Sequence, residues 1–159
     1  MPDYAVVLKK VAPVRVAQVR ALAPSMEQLG PTLDRAFDQV MGYIGQQGAT
    51  CVGPGTTLYY DTEMRESDIA VGACMPFEGA LKDGEQVKVS ELPGFETVAS
   101  VIHHGPFSTL SHAYNAIFHW IETNGFQISG PSRELNLVCE RGGDQSKFVT
   151  EIQFPVEKR

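Results

Sequence analysis

The sequence predicts an α+β fold built from a strand–strand–helix–strand–strand unit that occurs twice. Three observations point there. Only two segments carry long helical patterns. Short alternating or β-branched runs, punctuated by Gly and Pro, surround each of them. The two halves also match residue by residue. Leu33, Ala36-Phe37, Tyr43-Ile44 and Gly48 correspond at one constant offset to Leu110, Ala113-Tyr114, Trp120-Ile121 and Gly125. At the same offset Gly53-Pro54 meets Gly130-Pro131, and Leu58 meets Leu135. Val16-Ala17 matches Val98-Ala99, and Met75-Pro76-Phe77 matches Phe154-Pro155-Val156 after a small slip. So many matches in order mark an internal repeat.

The expected architecture is a single domain over 1–159 with half-repeats at about 1–78 and 84–159. It comprises two pseudo-twofold-related strand-helix-strand-strand modules forming a curved antiparallel sheet. A helix lies outside each half, with a ligand groove between the halves. One helix covers only one face of its half-sheet, so the other faces must meet or line a groove.

Tyr4 to Leu8 reads as a short strand and Lys9 to Pro13 as a turn. Val14 to Leu22 alternates as a second strand. Ser25 with Gln28 forms a capping box. Leu29, Leu33, Phe37, Val40, Met41 and Ile44 then recur at helical spacing, with Pro31 expected near the first helical position. Gly45 and Gly48 close that helix. Thr57 to Asp61 and Asp68 to Met75 are the next strands, the latter closed by Pro76, and Glu63 to Asp68 is a solvated loop. In the second half, Gln86 to Ser90 and Phe95 to His103 are strands. Leu110, Ala113, Tyr114, Ile117 and Ile121 form the stripe of the second helix. Arg133 to Glu140 is a strand, Arg141 to Asp144 a turn, and Phe148 to Val156 the last strand.

The 159 residues carry a net charge of −6 and 43% hydrophobic residues, enough for a real core. Basic residues are not clustered and no helix-turn-helix is present, so direct nucleic-acid binding is not expected. No apolar run suits a membrane span. Met1-Pro2-Asp3-Tyr4 does not begin a secretion signal. Cys51, Cys74 and Cys139 are scattered without metal-ligand spacing, which fits reduced thiols in a cytoplasm. The loop Val52-Gly53-Pro54-Gly55 lacks the Lys-Ser/Thr of a phosphate loop. His112 and His119 lie off the apolar stripe. No metal and no cofactor are expected.

The last strand holds the main candidate. Ile152, Phe154 and Val156 alternate with Glu151 and Gln153. The apolar set faces the helix, which leaves Glu151 and Gln153 toward the groove. Their repeat counterparts are Gly72 and Cys74, so the repeat is broken there by a carboxylate opposite a glycine. A buried carboxylate either shifts its pKa upward as a poised acid/base or is held ionised by a partner. Parity in Leu58-Tyr59-Tyr60 places Leu58 and Tyr60 on the helix side, and Tyr59 and its match Asn136 toward the groove. His103 ends a strand before His104-Gly105-Pro106, and either caps the helix entry or lines the site. Phe107 opens the helix. Trp120 is either core or an aromatic wall.

These motifs resemble the GyrI-like small-molecule-binding domains, also found as effector-binding domains of AraC- and MerR-type multidrug regulators. The carriers are Val16-Ala17…Arg20, His103-His104-Gly105-Pro106-Phe107, Ala113-Tyr114, Trp120, Gly125, Gly130-Pro131-Ser132-Arg133-Glu134 and Thr150 to Val156. The resemblance covers essentially the whole chain. It implies the two-module fold with its groove, and Glu151 falls on the family's ligand-contacting glutamate. Ligands of the family are lipophilic and often cationic. Some stand-alone members are hydrolases of cyclopropane-containing xenobiotics that use a glutamate and a tyrosine, and others inhibit gyrase by protein contact. The family's Glu-x-Tyr is here Glu134-Leu135-Asn136, which leaves Tyr59 as the expected phenol opposite Glu151.

The first expectation is therefore a binding module for lipophilic, cationic small molecules. Its site would comprise Glu151, Tyr59, Gln153, Asn136, Trp120, His103 and Phe107. One alternative is a hydrolase with Glu151 as general base and Tyr59 as proton donor. A second is a gyrase-type protein inhibitor, which would require a protein partner.

Overall fold

A computed structural model describes residues 4–61, 66–139 and 143–159. The chain divides into two compact units. The continuous unit is Ala12–Gly94, and the split unit joins the chain up to Val11 to Phe95–Arg159. Strand β1 (Val7–Val11) belongs to the split unit. The continuous unit holds β2 (Val14–Ser25), α1 (Met26–Gln46), β3 (Thr50–Cys51), β4 (Gly55–Tyr59), β5 (Ser67–Glu78) and β6 (Lys88–Leu92). The split unit adds β7 (Phe95–His104), α2 (Leu110–Thr123), β8 (Phe126–Ile128), β9 (Arg133–Val138) and β10 (Val149–Lys158).

Helix α1 starts where the capping residues are. Ser25 is extended, and its hydroxyl accepts from the Gln28 amide at 3.3 Å. Pro31 lies inside the helix rather than at its first turn. It removes one backbone hydrogen bond, which the Ser25 cap and the buried stripe Thr32, Ala36, Val40 and Ile44 outweigh. At the other end Gly48 has φ +79°. The amides of Gly48 and Ala49 bond back to Gly45 and Ile44 at 3.1 and 3.0 Å, closing a Schellman turn. Helix α2 buries Leu110, Ala113, Ile117 and Ile121, as its spacing predicts.

Both sheets are antiparallel. In the continuous unit β5 lies between β4 and β2, β6 pairs with the other edge of β2, and β3 extends β5. In the split unit β10 lies between β9 and β7, β1 pairs with the other edge of β7, and β8 extends β10. The repeat is visible in single bonds: Val52 N–H donates to Pro76 O at 2.9 Å, and Ser129 N–H donates to Pro155 O at 2.8 Å. Yet the leading strand of each repeat is exchanged. Strand β1 completes the sheet of the second repeat, and β6 completes that of the first.

Each helix covers one face of its own sheet. Helix α1 packs on Ala17, Val19, Ala73, Met75 and Phe77. Helix α2 packs on Ala99, Val101, Ile152, Phe154 and Val156. Each such side chain stabilises the fold by about 1.5–3 kcal/mol, somewhat less for alanine.

Several boundaries differ from expectation. Lys9 and Lys10 lie within β1, not in a turn. At the end of a sheet, charged side chains are tolerated and local composition conceals the strand. Strand β5 runs through Pro76 to Glu78, because the Pro76 carbonyl still accepts from Val52 while the ring needs no donor. The strands β3 and β8 are too short to announce themselves. The first half of the loop expected at 63–68, the start of the turn at 141–144 and the strand end at Glu140 lie outside the described residues.

Candidate functional site

Strand β10 has paired neighbours on both sides, so the polar residues of its alternating run cannot reach water along the sheet plane. Glu151 pairs with Ile102 of β7 and Leu135 of β9. Directly opposed residues share a face, so the carboxylate stands between two apolar side chains. Glu151 is 5% exposed and Ile102 is 38% exposed. The opposite face carries Ile152 and Phe154 against α2.

The Glu151 carboxylate is held through one oxygen. Its Oε2 accepts from the Ser100 hydroxyl at 2.7 Å, the Gln153 amide at 2.8 Å and the Lys9 ammonium at 2.5 Å. Among the described residues Oε1 accepts no hydrogen bond. Ser100 and Gln153 are buried, and they pair directly across β7 and β10. Lys9 comes from the end strand and its side chain is 42% exposed. It pairs with Val98, two residues along β7 from Ser100, which brings it to the same face. Burial pushes the Glu151 pKa up. The hydrogen bonds from Gln153, Lys9 and Ser100, together with the Lys9 charge, outweigh this and hold it below the usual carboxylate range. Of the two outcomes open to a buried carboxylate, the Lys9 ion pair and the two neutral donors favour the ionised one. Arg133 pairs across from Gln153, with its guanidinium 5.1 Å from the centre of the Phe95 ring.

The other expected site residues are elsewhere in their units. Tyr59 packs with Ala21, Leu29, Leu33, Ile69 and Val71 on the α1 side, not on the opposite face. Leu58 pairs with Gly72 and packs with Val16, Cys74 and Leu92 on that opposite face. The parity reading is thus inverted, because both faces of β4 bury apolar residues and alternation alone does not say which meets the helix. The same inversion holds at Asn136. It pairs with Thr150, so it faces away from Glu151, as does Glu134, whose carboxylate accepts from the Tyr114 hydroxyl of α2.

His103 is 2% exposed. The Tyr4 hydroxyl lies 2.9 Å from its Nδ1, and Nε2 lies 3.2 Å from the Pro106 carbonyl and 3.1 Å from the Thr109 hydroxyl. Facing a carbonyl, Nε2 carries the proton and Nδ1 accepts from Tyr4; His103 secures the entry to α2. Trp120 stacks on Phe126 at 5.6 Å within the helix-side cluster. Phe107 is tilted on Phe148 at 5.2 Å. Of the residues of the split unit expected around Glu151, Gln153 is the one that hydrogen-bonds to it among the described residues.

Ser100 and Lys9 were not among those expectations. Ser100 carried a signal: it is the polar residue between Ala99 and Val101 in an otherwise apolar run. Lys9 carried none, since its role depends on β1 pairing with β7. In the continuous unit the Tyr60 hydroxyl is buried with no hydrogen-bond partner among the described residues, and the Arg20 guanidinium lies 4.0 Å from its ring centre. Burial, then the neighbouring Cys74, push the Tyr60 pKa up to about 12, slightly offset by Arg20. An open cleft of about 580 Å³ beside α1, with Asp38, Tyr43 and Glu85 among its walls, contains none of these groups. Among the described residues no cluster of three His, Cys, Asp or Glu is arranged to hold a metal ion. No helix among them is long and apolar enough to cross a membrane.

A family model of the GyrI-like small molecule binding domain matches residues 4–157. The chain belongs to this family. Among solved structures, this GyrI-like chain is similar to the EcmrR C-terminal domain, with 29% identity and a TM-score of 0.84 over 98% of this chain and 99% of that one. EcmrR in its DNA complex, EcmrR-RPo, matches at 28% identity and a TM-score of 0.79, over 98% of this chain and 58% of that one. A hydrolase of Listeria innocua shares the fold at 14% identity and a TM-score of 0.68, over 96% of this chain and 91% of that one. No curated protein sequence matches. The chain is a small-molecule-binding domain related to the effector domain of a MerR-type regulator.

Proposed function

We propose that this GyrI-like domain binds lipophilic small molecules that carry a positive charge, with Glu151 as the group that anchors them. One observation carries the reading: a carboxylate, 5% exposed and paired with Lys9, stands between Ile102 and Leu135 with Oε1 accepting no hydrogen bond among the described residues. A desolvated carboxylate beside apolar surface favours a partner that is both cationic and greasy. The likeness to EcmrR supports a role as an effector-binding or drug-sequestering module. The hydrolase alternative loses two supports. A carboxylate held below its ordinary range is a weak general base near neutral pH. Tyr59 packs against α1 rather than on the face assigned to it.

The test uses a matched pair of probes, a naphthylmethyl-trimethylammonium ion and its carbon isostere, titrated calorimetrically into wild type and Glu151→Gln. The cation is expected to lose about tenfold in affinity, or about 1.4 kcal/mol, and the isostere much less. Equal losses for both probes would remove the charge role of Glu151.

A further inference from the structure

We infer that Lys9 is a built-in competitor for this site, a tethered cation that occupies Glu151 until a ligand cation displaces it. The inference rests on the reading of Glu151 as the ligand anchor and adds the residue that sets the affinity threshold.

Three observations support it. First, the donors on Glu151 differ in kind. Ser100 and Gln153 are neutral, buried and fixed on central strands, whereas Lys9 is charged, 42% exposed at its side chain and carried on the end strand β1. The ammonium can swing into water while the other two bonds stay in place, since its long stem has solvent beside it. Second, the register of β1 on β7 shifts between Lys9 and Val11, so the strand is irregular just beyond the lysine. Third, the two charges occur together. By sheet register, the position of Glu151 in the other unit is Gly72, and the position of Lys9 is Ser90. Where the carboxylate is missing, the ammonium is missing too.

An arriving cation therefore does not meet a bare carboxylate. It must replace an ion pair of 2.5 Å, which a neutral or weakly charged molecule cannot do. Lys9 keeps the carboxylate satisfied without a ligand and sets the threshold that a ligand cation must exceed to take its place.

The same two probes test this on Lys9→Met and Lys9→Arg. Lys9→Met is expected to tighten the ammonium probe about tenfold, with the isostere within twofold of wild type. Lys9→Arg, which keeps the charge, is expected to remain near wild type. If Glu151→Gln weakens the ammonium probe but Lys9→Met fails to tighten it, Glu151 remains the anchor and the competitor role is overturned. Weaker cation binding by Lys9→Met would make Lys9 a ligand contact, which also overturns the role. If neither wild type nor Lys9→Met distinguishes the cation from its isostere, both readings fall together. Thermal melts of each variant confirm that the protein titrated is folded.

Discussion

The two units place different chemistry on one backbone register. In the split unit Glu151, Gln153, Ser100 and Lys9 form a charged cluster on the face opposite α2. The same register positions in the continuous unit are Gly72, Cys74, Gln18 and Ser90. There the Ser90 hydroxyl donates to the Gln18 amide oxygen at 3.1 Å, a neutral bond. The space a side chain would take at Gly72 is filled by its neighbours. A Cβ on Gly72 would lie 2.6 Å from the Tyr60 hydroxyl and 2.7 Å from the Gln18 amide nitrogen. A duplicated framework thus carries a buried carboxylate once, and the other copy closes the corresponding spot with a phenol and an amide.

That contrast is open to direct attack, and the largest effect is expected in the charged cluster. Ser100→Ala removes a buried hydrogen bond to an ionised carboxylate and is expected to cost about 2 kcal/mol, read from the urea midpoint at unchanged m. Ser90→Ala, which removes the neutral bond to Gln18 in the continuous unit, is expected to cost no more than about 0.5–1 kcal/mol. Equal losses would mean that the charge adds nothing to the stability of the split unit. Next, Gly72→Ala is expected to cost about 1 kcal/mol through overpacking. Tyr60→Phe removes the buried hydroxyl that a Cβ would strike, so Gly72→Ala combined with Tyr60→Phe is expected to recover much of that loss. Strict additivity in this cycle would show that the phenol is not what fills the glycine's place.

The smallest effect is expected in the acid limb. Folding lowers the Glu151 pKa, so the ionised group stabilises the native state above the unfolded carboxylate value of about 4.3. That contribution is lost as pH falls through the lower folded value. Wild type is therefore expected to lose stability more steeply than Glu151→Gln between about pH 5 and pH 3. Parallel acid limbs would contradict the assigned shift.

Much of this was legible in the chain. The repeat, the apolar stripe of α2 and the division of β10 into a helix face and a Glu151–Gln153 face follow from spacing alone. The stripe expected for α1 is met at Val40 and Ile44 but not at Met41, which is exposed while Thr32 and Ala36 are buried. Tyr59 and Asn136 were placed on the wrong face. Thr57-Leu58-Tyr59-Tyr60 has no clean alternation, since Leu58 and Tyr59 both pack into apolar clusters on opposite sides of the sheet. Only the pairing of Leu58 with Gly72 resolves it. Lys9 was illegible because its partner is 142 residues away through a pairing that no local pattern encodes.

The exchange of leading strands bears on how such a molecule can be divided. A nick between Glu78 and Lys88 separates the repeats but leaves each fragment lending one strand to the other. Each fragment then keeps one strand in the other's sheet. A lone fragment offers an open sheet edge to a second copy of itself. Two identical subunits trading their first strands have the same connectivity as this one chain, so the fold is equivalent to a swapped dimer with its halves tethered.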